Sequence, residues 1–251
     1  TFAAGDGTSD ATMTFGGTVA NINLAIATIT WTSAANDDAD ATITVVTTDD
    51  DGDSDTDSMT ITVNSVNDAP TTTGGAATVA EDATHTFTTT ASDWGYVDVD
   101  SGDAMTSVDI TSLPATGTLN YGGSAVEAGD DIAIANLGGL TYVPVANANG
   151  AVTFTFKVYD GEALSASAGT FTLTYTAVND APVNTLGTPA AVNEDTANAI
   201  TGNSIADVDD TSMTSVAITA DRGTFSLAQT TGLTFAAGDG TSDATMTFGG
   251  T

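Results

Sequence analysis

Carboxylates are the residues of this chain that could do chemistry, and nearly all of them are aspartates. Of the 33 acidic side chains only four are Glu, and the other 29 are Asp. Asp favours turns and compact oxygen cages around hard cations such as calcium, whereas a solvated helical surface would favour Glu. The composition therefore suits both turns and cation sites. A halophilic or simply soluble acidic surface is the alternative, and the positions of the Asp residues must decide between the two.

The acidic residues recur in the same order at two places in the chain. The sequence Val-Asn-Asp-Ala-Pro at residues 66–70 returns unchanged at residues 178–182. Each copy is followed by a Glu-Asp pair and then by an Asp-Val-Asp triplet: Glu81-Asp82 with Asp98-Val99-Asp100, and Glu194-Asp195 with Asp207-Val208-Asp209. The repeated order indicates two related modules, each of a size common for domains.

A longer exact repeat links the two ends of the sequence. Residues 1–18, TFAAGDGTSDATMTFGGT, recur without change as residues 234–251. We interpret the chain as one period of a 233-residue repeat followed by an 18-residue overlap into the next copy. Because it begins at Thr1 without a Met or a signal peptide, we expect a fragment or a mature segment of a longer polypeptide.

The repeat divides the chain into three parts. Residues 69–179 are expected to form one complete module. Residues 1–68 are expected to be the C-terminal part of a split module, and residues 180–251 the N-terminal part of the next one. Since each half alone would expose an unfinished core and unpaired strand edges, we expect neighbouring copies of the repeat, arranged head to tail, to complete the split module.

Alternation of apolar and polar residues predicts strands almost everywhere. The clearest examples are residues 43–45, 59–63, 152–158 and 171–176. Short helical turns are expected only at residues 20–25 and 131–137. About seven short strands per module, separated by Gly, Pro, Asn and Asp turns, predict an all-β chain of tandem immunoglobulin-like β-sandwich domains. Disorder is the alternative for so acidic a chain, and the sustained alternation disfavours it.

Charge and composition exclude several classes of function. With Lys157 and Arg222 as its two cations and a net charge of −31, the chain has no basic patch for nucleic acid, and anionic membranes would repel it. The absence of Cys excludes disulfides, thiolate nucleophiles and zinc–thiolate sites. No apolar run is long enough to insert across a membrane.

Together these motifs resemble the bacterial cadherin-like tandem repeats of large surface proteins and adhesins. The resemblance rests on the Val-Asn-Asp-Ala-Pro and Glu-Asp motifs, on Asp-Val-Asp-Ser-Gly-Asp at 98–103, and on residues 112–119 and 230–248. It covers the whole chain. It implies tandem cadherin-like sandwiches in an extracellular rod at the cell surface, stiffened by calcium at the junctions between modules.

The resemblance also implies which residues hold the ions. At the first junction these are Asn67 and Asp68 in the linker, Asp98 and Asp100 at the top of the following module, and Asp160, with Glu162 as a weaker candidate, in its last loop. At the second junction they are Glu81 at the base, Asn179 and Asp180 in the linker, and Asp207 and Asp209 on top. Glu194 is the matching base residue of the split module, and Asp49 and Asp51 lie in its late loop. Because further acidic motifs of animal cadherins have no clear match, one or two ions per junction are expected.

Two simpler interpretations of these motifs remain. Asn-Asp-Ala-Pro could be only a turn, although its recurrence together with Glu and Asp-x-Asp favours calcium. The acidic run at 49–57 does not fit an EF-hand loop, since Gly is absent at the sixth position and Glu at the twelfth, counted from Asp49 or Asp51. We expect that run to be a solvated hairpin loop.

No set of residues favours catalysis. The single histidine, His85, lies in a Thr-rich strand, where alternation is expected to turn it outward. Carboxylate pairs occur throughout, so none is distinguished as a catalytic pair. Trp31 is expected to fill a sandwich core. Trp94 is expected to cap a core, with an exposed position near the first junction as the alternative.

We therefore expect a non-enzymatic structural module of a long extracellular bacterial surface protein or filament, with calcium as its cofactor. Both a passive spacer and a self-assembling fibre subunit fit the pattern. The alternative is an adhesin module that binds surface glycans or proteins. That function would need an exposed aromatic cluster or a loop pocket near Trp94 and Tyr96.

Overall fold

Short strands dominate the computed structural model, which describes residues 1–250, so the all-β prediction is confirmed. The first elements in the chain are β1 (Phe2–Ala4), β2 (Thr14–Phe15), helix α1 (Val19–Ile26), β3 (Ala41–Thr48) and β4 (Ser54–Ile61). Strand β1 pairs with β2, and β3 pairs with β4, each as an antiparallel hairpin.

Eleven strands follow between residues 71 and 176. They are β5 (Thr71–Thr72), β6 (Gly75–Ala80), β7 (His85–Thr86), β8 (Tyr96–Val97), β9 (Ser107–Ser112), β10 (Thr118–Tyr121), β11 (Ser124–Ala125), β12 (Asp131–Ala133), β13 (Leu140–Val143), β14 (Gly150–Tyr159) and β15 (Gly169–Thr176). Two 3₁₀ helices, Ala91–Trp94 and Ile134–Gly139, interrupt them.

The last part of the chain contains two small sheets. Its strands are β16 (Val183–Thr185), β17 (Ser204–Ala206), β18 (Met213–Thr219), β19 (Leu233–Ala237) and β20 (Thr245–Gly250). Strands β16 and β17 form one antiparallel pair, and the other sheet has the order β18-β20-β19.

The central strands form a β-sandwich of two main sheets. One sheet has the order β12-β9-β14-β15-β6, in which β6 runs parallel to β15, and the other has the order β11-β10-β13-β7. Strands β5 and β8 form a separate short pair that continues from the linker. This is the sandwich that the alternating pattern predicts, because each sheet needs a second apolar face to cover its own.

Aromatic residues of adjacent strands fill the core between these sheets. In β14 every second residue is buried, at Phe154, Phe156 and Val158, while the Thr and Lys residues between them face outward. Phe171 of β15 lies opposite Phe154, with their rings stacked at a centroid distance of 5.5 Å. Burying such side chains contributes about 1.5–3 kcal/mol each, so this core gives the module its stability.

The two predicted helical turns have different outcomes. Helix α1 is present, and the side chain of Thr18 caps it by accepting a hydrogen bond from the Asn21 N–H at 3.4 Å. The second prediction, residues 131–137, is wrong at its start, because Asp131–Ala133 pairs with β9 as strand β12 and only the following turn is a 3₁₀ helix. Pairing with a neighbouring strand outweighs local preference there.

The prediction that His85 faces outward is wrong. His85 is half-buried and contacts Phe87 edge to face, with 4.7 Å between ring centroids. Residues two apart in a strand share a face, so the inward position of Phe87 requires His85 to face inward as well. Burial lowers the pKa of His85.

Residues 1–69 contain no buried residue, in contrast to the central sandwich. Val19 and Leu24 of α1 are 75% and 77% exposed. The expectation that Trp31 fills a core is also wrong for this chain, since the side chain is 38% exposed. The reason is that no second sheet covers this part of residues 1–250, whereas β13 and its neighbours are covered in the central module.

Within residues 1–250, helices of the length and apolar character that a bilayer crossing needs are not found.

Candidate metal centres at the module junctions

The first candidate site lies where the linker enters the central sandwich. The Asp68 N–H donates to the Asp100 carboxylate at 2.6 Å, and the Asp100 N–H donates to Asp98 Oδ1 at 3.0 Å. The Tyr96 hydroxyl donates to Asp98 Oδ2 at 2.9 Å. Three of the predicted residues, Asp68, Asp98 and Asp100, are therefore held together by backbone and side-chain hydrogen bonds.

Asp160 joins this cluster from the loop after β14. Its Oδ1 accepts the N–H groups of Glu162 and Ala163 at 2.6 and 2.7 Å, and its Oδ2 accepts the Asn67 side-chain amide at 3.3 Å. Burial raises the pKa of Asp160, but the backbone N–H groups and the Asn67 amide outweigh it, so the pKa is lowered. The Asp160 carboxylate is thus fixed in its charged form beside the linker.

A further carboxylate, Asp103, completes the group and was missed as a candidate in the sequence. One oxygen of each of Asp98, Asp100 and Asp103 lies within 4.8 Å of the others. Burial, together with the carboxylates of Asp100, Asp98 and Asp160, raises the pKa of Asp103. The signal was available, because Asp103 ends the Asp-Val-Asp-Ser-Gly-Asp motif. Only the turn geometry shows that the chain returns to the cluster.

The second junction repeats the same linker contacts. The Asp180 N–H donates to the Asp209 carboxylate at 2.6 Å, and the Asp209 N–H donates to Asp207 Oδ1 at 2.9 Å. The side-chain amide of Asn179 donates to the Asp180 carbonyl at 2.9 Å, as that of Asn67 donates to the Asp68 carbonyl at 3.2 Å. The backbone contacts of the linker therefore recur at the second junction, and not only the sequence motif.

The base of the central sandwich supplies Glu81 to this second junction. Glu81 is 5% exposed, and its Oε1 accepts the Val178 N–H at 2.7 Å. Burial raises the pKa of Asp180, as do the carboxylates of Asp209, Asp82, Glu81 and Asp207 in decreasing order. The predicted residues of this junction therefore come together, and Asp82, the neighbour of Glu81, belongs to the same charged group.

Two buried oxygens at the junctions have no hydrogen-bond partner, and both fit a cation. They are Oδ1 of Asn67 at the first junction and Oδ2 of Asp180 at the second. A buried oxygen without a donor costs about 1–3 kcal/mol, and it lies here beside several carboxylates that repel one another. Amide and carboxylate oxygens are calcium ligands, so the residues present fit the ion that the cadherin resemblance implies.

The remaining candidates lie outside these clusters. Glu194 is exposed, and the group of three carboxylates found in residues 1–250 does not include it. Asp49 forms the turn between β3 and β4, where its Oδ1 accepts the N–H groups of Asp51 and Asp53 at 3.0 and 2.9 Å. The side chain of Glu162 is exposed, and only the backbone N–H of this residue contacts Asp160.

The aromatic surface that an adhesin would need is not formed by Trp94. Its side chain is fully buried, and its ring contacts Phe156 edge to face at a centroid distance of 4.9 Å. The indole N–H donates to the Thr88 carbonyl at 3.2 Å, which satisfies its polar atom inside the core. Of the two positions considered for Trp94, the structure shows the core position.

The centre of the chain is thus a β-sandwich whose two linkers make the same backbone contacts. Residues 66–176 match the family model of the cadherin-like domain, and this segment contains strands β5 to β15.

Among solved structures, the chain is similar to the endo-fucoidan hydrolase MfFcnA4 of glycoside hydrolase family 107 and to a substituted form of it, with 14% and 16% sequence identity. Each alignment covers 86% of this chain and 30% of the other, so the chain spans less than a third of their length. The TM-score is 0.26 in both cases, too low to support an argument about function. Comparison with curated proteins gave no match.

Proposed function

We propose that this chain is a structural, non-enzymatic module of a long extracellular bacterial surface protein or filament, and that calcium stiffens it at the junctions between modules. The observation that carries the proposal is the same network at both linkers. In each, the linker Asp donates its N–H to the last Asp of an Asp-Val-Asp triplet, beside a buried oxygen that has no partner.

The linker contacts explain how an ion would couple two modules. The residues that would hold it at the first junction are Asn67, Asp98, Asp100, Asp103 and Asp160. Those at the second junction are Glu81, Asp180, Asp207 and Asp209. Calcium would supply the positive charge that these groups lack. At the second junction these groups come from the linker and from the modules on either side, so neutralising them would fix the angle between consecutive modules. At the first junction they come from the linker and the following module, so an ion there would fix the linker against that module.

The net charge of −31 gives the ion a second role. Like charges at this density repel one another and oppose a compact arrangement of modules. Bound calcium would offset the repulsion among the carboxylates around Asp103 and Asp180, whose pKa values are raised first by burial and then by these neighbouring charges. In chelator, we expect each linker to bend freely and to become open to proteolysis.

Calcium titration by calorimetry tests the proposal. We expect saturable binding with a Kd of about 10⁻⁴–10⁻³ M, the range of extracellular calcium modules. Asp100→Asn should weaken binding at the first junction at least about tenfold, because it removes one of the clustered charges. Asp131→Asn is the matched control, since Asp131 lies exposed in β12, outside the cluster. No saturable binding, or equal binding by both variants, would contradict the proposal.

The alternative function, an adhesin module for glycans or proteins, has less support from the structure. It called for an exposed aromatic cluster near Trp94, and that side chain lies in the core. Tyr96 is half-buried, and its hydroxyl is engaged by Asp98. A glycan array tests this function directly, and binding that Tyr96→Phe abolishes would favour it over the structural role.

A further inference from the structure

The β3–β4 hairpin has the same register as the β14–β15 hairpin in the core of the central sandwich. Ile43 lies opposite Met59, as Phe154 lies opposite Phe171. Met59 and Phe171 also stand at the same distance before the two Val-Asn-Asp motifs. The hairpin formed by β3 and β4 is therefore the counterpart of the two central strands of the five-stranded sheet.

Strand β18 is the counterpart of β9. Residues 213–219 read MTSVAIT and residues 105–111 read MTSVDIT. In the complete module, β9 lies between β12 and β14, whereas β18 has β20 on one side and forms the edge of its sheet in residues 1–250. The strand missing from that edge is the counterpart of β14, which is β3.

The exposed apolar residues of the first part of the chain match core residues of the central module. Ile29-Thr-Trp31 corresponds to Leu140-Thr-Tyr142, and each is followed by an Asn with positive φ, Asn36 or Asn147. Ile29 and Trp31 are 51% and 38% exposed, while Leu140 and Tyr142 are 0% and 2% exposed. This apolar face is built for a core that its own part of the chain does not contain.

Two residues with left-handed backbone, one in each half of the split module, indicate the same pairing of the halves. In the central module Asp82, with φ of 61°, accepts the N–H of Asn147, with φ of 57°. Their counterparts Asp195 and Asn36 have φ of 60° and 58°, and no hydrogen bond joins these two residues within residues 1–250. Left-handed backbone is uncommon for residues other than Gly, so both halves of this contact are in place before they meet.

The exact repeat shows what a neighbouring strand does to an exposed apolar residue. Phe2 lies opposite Phe15, and Phe235 lies opposite Phe248, in two hairpins of identical sequence. Met13 of the first hairpin is 42% exposed, whereas Met246 of the second, opposite Ile218 of β18, is fully buried. The same sequence thus exposes or buries its apolar residues according to whether β18 is present.

We propose that residues 19–68 of one copy of this chain complete the sandwich begun by residues 180–250 of a second copy. Strand β3 of the first copy pairs antiparallel with the open edge of β18 of the second, giving the sheet order β20-β18-β3-β4. This rests on the proposed function, because it names the partner that a tandem array of modules supplies. The register follows the central module, in which Lys157 lies opposite Asp109 and Tyr159 opposite Ser107.

This register makes two specific predictions for contacts between copies. Val46 of one copy lies opposite Ala217 of the other, and Thr48 lies opposite Ser215. Residues directly opposite in an antiparallel pair have Cβ atoms about 4.5–5.5 Å apart, within reach of a disulfide after small adjustments. All four side chains are exposed in the single chain, so substitution by Cys leaves the existing contacts unchanged. The chain has no Cys of its own to interfere.

The test mixes two full-length single-Cys variants, Val46→Cys and Ala217→Cys, in calcium under mild oxidation. We expect a covalent dimer whose linked peptides contain positions 46 and 217, with several-fold more product than either variant gives alone. The pair Thr48→Cys with Ser215→Cys repeats the test two residues along the strand. Thr56→Cys with Ala217→Cys is the control, because Thr56 lies opposite Val46 on β4, one strand further from β18.

Calcium binding, measured on the same mixtures, separates this proposal from the proposed function. If neither pair links above the control while calcium still binds, completion by a second copy is overturned and the calcium function stands. If the dimer forms and calcium does not bind, the completion stands and the calcium function fails.

Discussion

Asp103 and Asp160 belong to one cluster, yet their surroundings act on them in opposite directions. Backbone N–H groups outweigh burial at Asp160 and lower its pKa, whereas burial and three carboxylates raise the pKa of Asp103. Asp160 is thus bound into the fold as an anion, while Asp103 carries a charge that the fold alone does not compensate. A cation is the group that would compensate it.

The substitution Asp103→Asn should therefore have opposite effects with and without calcium. In chelator we expect equal or higher stability, because one repelling charge is removed. In calcium we expect a lower midpoint of unfolding than for the unsubstituted chain, because one ligand oxygen loses its charge. Thermal unfolding in both conditions measures this. Asp131→Asn controls for the loss of a charge, and a fall in stability in chelator would contradict the assignment.

The pH dependence in chelator follows from the same shifts. Asp103 and Asp180 have raised pKa values, so the folded state takes up their protons first, and stability should increase as pH falls from neutral towards the ordinary Asp value of 3.8. Asp160 and Asp10 have lowered pKa values, so their stabilising contribution is present above 3.8 and lost at lower pH.

Urea unfolding across this pH range should show a maximum on the acidic side of neutral in chelator. With calcium the maximum should disappear, because protons compete with the ion for the same carboxylates. A steady loss of stability from neutral pH in chelator would show that these clusters are not strained by their charge.

At the residue scale, the sequence predicted most of both clusters and failed where the backbone must turn. Asn67, Asp98 and Asp100 are carried by motifs, and the structure places them together. Asp103 was missed because its carboxylate joins the cluster only if the turn after Asp100 brings it back towards Asp98 and Asp100. The orphaned oxygens of Asn67 and Asp180 depend on burial by distant segments, which no local pattern reveals.

At the scale of elements, the short 3₁₀ helix that ends at Trp94 connects the core to the first junction. Trp94 packs among the rings of Phe87, Phe156 and Phe171, with centroid distances of 5.5, 4.9 and 5.2 Å. Gly95 follows with a φ of 64°, where a side chain would collide with the backbone of Gly74. The core therefore fixes where Tyr96 and the Asp-Val-Asp loop begin.

The substitution Trp94→Ala should destabilise the central sandwich by about 3–5 kcal/mol, since it leaves a large cavity in a packed aromatic core. Trp94→Phe should cost less, because most of the ring contacts remain. Urea unfolding followed by circular dichroism measures both. A loss below about 1 kcal/mol for Trp94→Ala would show that the residue is not part of the core.

Alternation of apolar and polar residues predicted which segments are strands, but it did not predict which strands pair with one another. Strands β14 and β15 follow the predicted pattern in full, whereas Asp131–Ala133 became a strand only because β9 lies beside it. Alternation alone did not show which face of the His85 strand points into the core. Phe87, two residues later, lies in the core, so His85 faces the same side. Exposure of Trp31 follows from the lack of a covering sheet, a property that no strand pattern contains.

At the scale of the whole molecule, one complete sandwich lies between two segments that bury little. The core cluster lies entirely between Phe87 and Tyr175, whereas Val19, Leu24, Val183 and Leu186 are each more than 60% exposed. Local opening requires little free energy where few apolar contacts hold the backbone. The three parts of the chain should therefore differ strongly in their resistance to proteolysis.

Limited digestion with thermolysin, in calcium and dilute solution, should first cut within residues 1–69 and 180–251. A resistant fragment covering about residues 70–179 should accumulate, and intact mass spectrometry would identify its ends. Trp94→Ala provides the control, because the fragment should then lose its protection. Cleavage between β9 and β15 as fast as in the flanking segments would contradict the presence of an independent central domain.

The central claim is that calcium fixes the linkers, and a distance measurement across the first junction tests it most directly. The Cys-free chain allows spin labels at Thr56→Cys and Thr116→Cys, on either side of the Asn67-Asp68 linker. With calcium, double electron–electron resonance should give a distance distribution that is clearly narrower than the one in chelator. Asp100→Asn should remain broad in calcium. Equal widths with calcium and with chelator would contradict the account.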